Sequence, residues 1–373
     1  MNGEYAISFL KELLRIYSPS GKEEEIAGLL FDRMKRELGF KNVRMDSVNN
    51  VIGEVGSGRP RILLCGHMDT VPGQQPVKLQ DGLLYGRGAS DAKAALAAMV
   101  LAASRMNKRN DRGTLIVAAV VDEEGTGLGV RELLRHGIEA DFAIFGEPSG
   151  IDQITIGYKG RVSIRISCET PSVHSSAPWM SQNAIEKLFE VWYAIKQNMP
   201  KSGQGDHYRE VSACITKIRG GSAQNVVPGR CELTADIRVP PHMSCTKIME
   251  DIRRIVDGFQ SDLLFPKLKV FVEDFTEPFE TDISSPLVRA LVRAILKVRS
   301  KRPILVRKTG TGDMNILGHA LKIPVVAYGP GNPHLSHTAR ECVSIEEYIL
   351  SIDIIEQAVN ELSTLSSVRG SSI

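Results

Sequence analysis

The chain has 373 residues, more than one domain usually holds, so two domains with one inserted in the other are expected. Its 46 Lys and Arg nearly balance 44 Asp and Glu, and the resulting charge of +2 gives no overall field that would select nucleic acid or an anionic membrane. No apolar run approaches the ~20 residues that span a bilayer, and Met1-Asn-Gly-Glu-Tyr lacks the basic start and apolar core of a signal peptide, so a soluble cytoplasmic protein is expected.

In chain order, Ile7, Leu10, Leu13 and Leu14 recur at helical spacing. Ser20-Gly-Lys-Glu23 reads as a capping box that opens a second helix through Ile26, Leu29, Leu30 and Met34. Val43–Met45 and Val51–Val55, joined through Asn49-Asn50, read as a hairpin. From Ile62 to Phe145 continuous apolar runs alternate with helical segments, the pattern of a parallel sheet covered on both faces. The mixed charges of Arg105 to Arg112 read as a solvated loop.

The rhythm changes after Gly157. Strand patterns at Arg161–Cys168, Val211–Ile218, Cys231–Val239 and Leu268–Val272 interleave with helical patterns at Asn183–Ile195 and Cys245–Phe259. The order β-α-β-β-α-β is that of a ferredoxin-like unit, expected over 158–275. Beyond Pro278 the α/β pattern resumes with helix Leu287–Val298, strand Ile304–Arg307, a helix near Met314–Leu317, strand Ile323–Ala327 and a final helix carrying Ile345 to Leu362. The predicted fold class is therefore α/β, with a discontinuous catalytic domain of 1–157 and 276–373. The Ser-rich stretch from Ser363 to Ile373 is expected to fray.

The chemistry-bearing residues cluster at strand ends. His67 and Asp69 follow one apolar run, Glu123 and Glu124 a second and Glu147 a third, while Asp91 stands where the glycine-rich turn Gly86-Arg-Gly-Ala-Ser meets an Ala-rich helix. In open parallel sheets ligands bind beyond the carboxyl ends of the strands. Taken singly, His67 reads as a satisfied core histidine, Asp91 as a helix N-cap and the Glu pair as a solvated face. Their joint position instead suggests two divalent ions, most readily zinc, with cobalt or manganese alternatives, bridged by the Asp91 carboxylate about 3.5–4 Å apart. One ion would take His67, Asp91 and Glu147, and the other Asp91, Glu124 and a late histidine. For that last position spacing leaves His334 and His337 equal. Adjacent side chains diverge, so Glu124 is assigned to the metal and Glu123 to general base, with Asp69 orienting His67. The six scattered cysteines, without any C-x-x-C pair, read as reduced, mostly buried thiols.

Gly66-His67-Met-Asp69-Thr-Val-Pro72, Gly86-Arg-Gly-Ala-Ser-Asp91-Ala-Lys93, Asp122-Glu123-Glu124-Gly125 and Gly146-Glu147-Pro148 resemble the signatures of the M20 family of di-metal amidohydrolases and exopeptidases. The resemblance implies metal ligands at His67, Asp91, Glu124, Glu147 and, in His337-Thr-Ala-Arg-Glu341, His337. It also implies the base at Glu123, an orienting carboxylate at Asp69, an oxyanion-holding His174 and an inserted domain that forms a homodimer contact. Asn225 and Arg238 fall on substrate-binding positions, and Thr309-Gly-Thr-Gly312-Asp313 on a lip near the substrate. Arg238 could clamp a carboxylate bidentately, or sit in a strand salt bridge. Asp91-Ala-Lys93, Gly157-Tyr-Lys-Gly-Arg161 and the run Gly329 to Glu341 are most similar to the branch that releases lysine or ornithine from an acidic amino-group carrier protein or an acyl group, in lysine and arginine biosynthesis. Lys159 and Arg161 would then offer positive charge to the carrier. The rivals are a deacylase of free succinyl- or acetyl-amino acids and, from another class, a metal-free binding protein.

Overall fold

The computed structural model describes residues 3–106, 113–200, 205–260 and 266–369. Contacts divide the chain into one unit of residues 1–156, 281–307 and 312–373 and a second of 157–280 and 308–311.

The first unit is built on four parallel strands side by side, in the order Gly113–Val120, Arg61–His67, Phe142–Gly146 and Val325–Ala327. The antiparallel pair Val51–Ser57 and Lys41–Met45, the expected hairpin, extends the sheet beyond Gly113–Val120. The parallel strands are buried from the second residue onward, which is why they read as unbroken apolar runs. Helix Lys93–Met106 packs on them with 13 of its 14 residues buried, so its alanines are a demand of space. A methyl group added at Gly329, for example, would stand 2.6 Å from the Ala95 Cβ. Helices Gly3–Arg15, Glu24–Arg36, Pro286–Arg299 and Ile345–Arg369 contribute to the same apolar core, among them Leu10, Leu30, Leu291 and Ile355.

Three local expectations are corrected. The capping box at Ser20 does not form: with Gly21 left-handed at φ +81°, the Ser20 hydroxyl donates to Asp69 Oδ2 at 2.7 Å instead. The helix starts at Glu24, and Glu23 Oε1 accepts from the N–H groups of Gly21 and Asp122, each at 3.1 Å. Arg105 is not in a solvated loop but in the last turn of helix Lys93–Met106, pairing with Asp353 at 2.6 Å; residues 107–112 of that predicted loop lie outside the described residues. The final helix continues through Arg369 rather than fraying from Ser363, and the Ser363 and Thr364 hydroxyls bond back to the carbonyls of Val359 and Asn360. Residues 370–373 lie outside the described residues.

The second unit has one antiparallel sheet, ordered Ser212–Gly220, Arg230–Val239, Gly160–Glu169 and Lys267–Thr276. Helices Ala184–Asn198 and Cys245–Gly258 share its core through Leu188, Val191, Ile248 and Ile252, packed with Ile164, Ile166, Leu233 and Ile237. This is the β-α-β-β-α-β ferredoxin-like arrangement, with the first and third strands central. Residues 308–311, read from sequence as part of the other domain, associate with this unit because the Lys159 N–H donates to the Lys308 carbonyl and the Thr311 hydroxyl donates to the Lys159 carbonyl.

Glu277 caps helix Cys245–Gly258 from outside it. Its carboxylate accepts from Cys245 N at 2.8 Å, Thr246 N at 3.2 Å, Thr246 Oγ1 at 2.9 Å and Ser244 Oγ at 3.1 Å. Burial pushes this carboxyl up, but the donors outweigh burial and hold it below its ordinary value. Its stabilising effect is therefore present at neutral pH and lost as pH falls through the depressed folded value. Glu277→Gln should cost about 1 kcal/mol near pH 7, a typical cap contribution. The difference in urea midpoint between parent and variant should close as pH falls below the ordinary carboxyl range; a difference that stays constant with pH would refute the charged cap.

Candidate metal centre

Each chemistry-bearing side chain of the first unit sits just past a strand or turn that aims it. His67 ends the strand Arg61–His67, Glu123 and Glu124 follow Gly113–Val120, and Glu147 follows Phe142–Gly146. Asp91 lies in the turn before helix Lys93–Met106, and His337 precedes the strand Cys342–Ser344. Asp91 is joined to Ala92 by a cis peptide bond. His337 holds φ +64°, a left-handed conformation that a non-glycine residue keeps only where its surroundings impose it.

Two clusters result. The ligand-type atoms of His67, Glu123 and Glu147 lie within 4.8 Å of one another, and so do those of Asp91, Glu124 and His337. Asp91 spans the two: Oδ1 is 3.3 Å from His67 Nε2 and Oδ2 is 3.5 Å from His337 Nε2. His337 Nε2 is also 2.6 Å from Glu124 Oε1. The sequence reading put Asp91 with His67 and Glu147 and left Glu123 apart; here the Glu123 carboxylate closes on that histidine as well.

Asp69 does more than orient His67. His67 Nδ1 hydrogen-bonds the Asp69 backbone carbonyl at 3.0 Å, while the Asp69 carboxylate stands 3.4 Å from that nitrogen. The carboxylate itself accepts the N–H groups of Glu123 and Glu124, each at 3.0 Å, and the Ser20 hydroxyl. One buried side chain thus fixes the double-glutamate turn. Gly88 permits the turn that leads to Asp91: φ is +87°, and a Cβ there would stand 2.8 Å from Lys93 Cδ.

The electrostatics favour a cation. The Asp69 carbonyl engages His67 Nδ1, and the buried Nε2 faces the Asp91 carboxylate at 3.3 Å. Burial pushes the His67 pKa down, but hydrogen bonds to Asp69 and Asp91 outweigh it and hold its proton well above the ordinary range. The Asp91 contact, opposed by burial and helped by Glu124, raises His337 to about 9. Burial raises Glu124, with the Asp91 charge adding to it, and burial raises Glu123 well above the ordinary carboxyl range, with Asp313 adding to it. Carboxylates crowded this way, around imidazole nitrogens that each hold a proton a cation could replace, fit divalent ions with N/O preference. No thiolate is among them; all six cysteines are free and only Cys214 is exposed.

The remaining predicted residues fall as follows. His334, the competitor of His337, is exposed in the short turn Pro333–Leu335 and belongs to neither cluster. Gly312 precedes helix Asp313–Leu321, and a Cβ on it would stand 3.3 Å from Glu123 Oε1. In the second unit, His174 and Asn225 are brought together by the short antiparallel pair Val173–His174 and Val226–Val227, with the Ser175 N–H on the Asn225 carbonyl at 2.9 Å. Arg238 has its Nε–Nη2 edge on Asp236, at 2.6 and 3.3 Å, and its Nη1 on Thr311 at 3.1 Å, the salt-bridged arrangement that the sequence left open. The expected positive face at Lys159 and Arg161 is corrected: Lys159 is buried with Nζ on the Glu210 carbonyl, and Arg161 pairs with Asp236 at 2.7 Å and Asp274 at 2.9 Å. Sequence reasoning assigned no role to Glu341 and only a lip to Asp313; both are buried carboxylates, and only their burial, which no periodicity announces, marks them.

Known proteins share this chain's sequence and fold. A LysW-lysine/LysW-ornithine hydrolase of Saccharolobus solfataricus is 34% identical over 362 residues, covering 96% of this chain and 96% of its own. Aminopeptidase PepT from Bacillus cereus superposes with a TM-score of 0.82 at 22% identity, over 97% of this chain and 99% of its own. The Bacillus subtilis YXEP protein, described as a dinuclear metal binding peptidase from M20 family, has a TM-score of 0.74 at 15% identity, over 96% and 97%. The family model for peptidase family M20/M25/M40 matches residues 63–361, which span the strand ends and both clusters. The chain belongs to peptidase family M20/M25/M40.

Proposed function

We propose that the protein is a di-metal amide hydrolase that releases lysine or ornithine from an acidic carrier protein. The observation that carries the chemistry is Asp91, whose two carboxylate oxygens each face a different histidine. The relative named as a LysW-lysine/LysW-ornithine hydrolase, matched across nearly the whole chain, supports the substrate.

In this reading His67, Asp91 and Glu147 would hold one ion and Asp91, Glu124 and His337 the other, with zinc, cobalt or manganese all suited to the donor set. When bound, the ions polarise the amide carbonyl and lower the pKa of a water to about 7. Glu123 accepts that water's proton and delivers it to the leaving nitrogen; its burial and raised pKa suit a group that must carry a proton in mid-reaction. Asp69 keeps Glu123 and Glu124 diverging by holding both their N–H groups. His174 is assigned to the developing oxyanion. Its Nδ1 accepts the Ser176 N–H at 3.2 Å, which leaves Nε2 to donate. Asn225, Gly312 and Arg238 are assigned to substrate.

The second unit is assigned to dimerisation through Trp179, 81% exposed, Met180, Tyr193, 66% exposed, and the edge strand Ser212–Gly220. No helix among the described residues is long and apolar enough to cross a membrane.

The test is a side-by-side assay of metal-reconstituted protein on carrier-borne lysine and ornithine and on free N-acetyl and N-succinyl forms. Carrier-borne substrate should be turned over at least tenfold faster in kcat/KM, a difference of about 1.4 kcal/mol in transition-state binding. Preference for the free acyl-amino acids would replace this reading with a small-molecule deacylase, and indifference to chelators would end the metal mechanism.

A further inference from the structure

The metal-facing turn Gly86–Asp91 is held by a carboxylate far from it in sequence. Glu341, 1% exposed, accepts three backbone N–H groups on its single Oε1: Gly88 at 3.0 Å, Ser90 at 3.0 Å and Asp91 at 2.9 Å. Converging main-chain donors of this kind form an anion-binding nest, and left-handed Gly88 is what lets them converge. Oε2 takes Arg87 Nη1 at 2.7 Å, and that guanidinium also donates to the Thr338 carbonyl, at 3.3 Å, and through Nε to the Gly73 carbonyl at 2.9 Å. Gln75 Nε2 reaches the same Thr338 carbonyl at 2.6 Å. Thr338 follows His337, and Glu341 lies four residues beyond it. One buried ion pair therefore ties the backbone of Asp91 to the segment that carries His337.

From this geometry we infer that Glu341, with Arg87, is a positioning residue that sets the separation of Asp91 from His337, and so the fit of the cluster Asp91, Glu124 and His337 to a divalent cation. Asp69 holds the glutamate turn that serves both clusters, whereas His67 and Glu147 of the other cluster stand at the ends of strands and take no bond from Glu341 or Arg87 among those described above. The inference rests on the metal reading given above and deepens it, because it makes the two ions unequal in what holds them.

The experiment is a titration of metal-free protein with cobalt(II), following visible absorption and competition with a chromophoric chelator, on the parent and on Glu341→Gln. A glutamine of the same size must turn an NH2 group either onto the three N–H donors or onto Arg87. Removing an outer partner of a ligand typically weakens metal binding about 10–100-fold, so one of the two cobalt equivalents should weaken by that factor while the other stays within about threefold of the parent. A glutamate that only stabilised the fold would shift both equivalents together. Should Glu341→Gln not fold, Arg87→Met leaves the three N–H bonds in place and should weaken the same equivalent by a smaller factor. Parental affinity at both equivalents, or an equal loss at both, overturns the inference. A parent chain that takes up no cobalt would instead remove the metal reading itself.

Discussion

Glu123→Gln should lower kcat by about 10²–10⁴-fold, the range that a positioned general base contributes, while the protein keeps two ions per chain. The substitution preserves volume and one carbonyl oxygen but removes the proton acceptor. It also discriminates between two roles that the geometry brings close, since Glu123 lies in a cluster with His67 and Glu147 as well as beside Glu124. A ligand would give up metal on becoming an amide, whereas a base would give up only turnover. Metal content by mass spectrometry, beside kcat with saturating substrate, separates them. Loss of an ion from Glu123→Gln would move this residue into the coordination shell, and near-parental turnover with both ions bound would leave the reaction without its base.

Asp91→Asn should be the most damaging single change to metal content. Its carboxylate has one oxygen toward His67 and the other toward His337, and its contact pushes the pKa of each histidine up. An amide keeps one oxygen, turns an NH2 toward the other imidazole and withdraws the negative charge that two cations would share. Metal per chain should fall from two to one or fewer. Turnover should fall by at least about 10²–10³-fold, the cost of losing one preorganised electrostatic partner of a reacting centre. Two ions retained by Asp91→Asn would show that the aspartate does not bridge.

How much of this was readable beforehand follows from the range of the interactions. The parallel strands were legible because strands covered on both faces must be apolar throughout, as Ile62 to Cys65 and Leu115 to Val121 are. The ferredoxin-like arrangement was legible because Arg230–Val239 alternates strictly between buried and partly exposed residues. Ser20 misled because a capping box is a local pattern, whereas its hydroxyl answers to Asp69, 49 residues away. Lys159 and Arg161 misled for a related reason: a basic pair in sequence carries no record of the Glu210 carbonyl or of Asp236 and Asp274, which occupy it. The positions of the candidate ligands at strand ends could be anticipated, but the direction in which Glu123 and Glu124 diverge could not, since a long-range carboxylate at Asp69 sets their backbone.

The distribution of thiols has a practical consequence. Cys65, Cys168, Cys231, Cys245 and Cys342 are enclosed, and Cys214 alone opens to solvent, third residue of the outer strand Ser212–Gly220. A maleimide dye applied to the native protein will therefore tag one defined position without any engineered cysteine. Two copies that meet along that strand would bring their fluorophores close enough to quench each other, which provides an optical report of self-association.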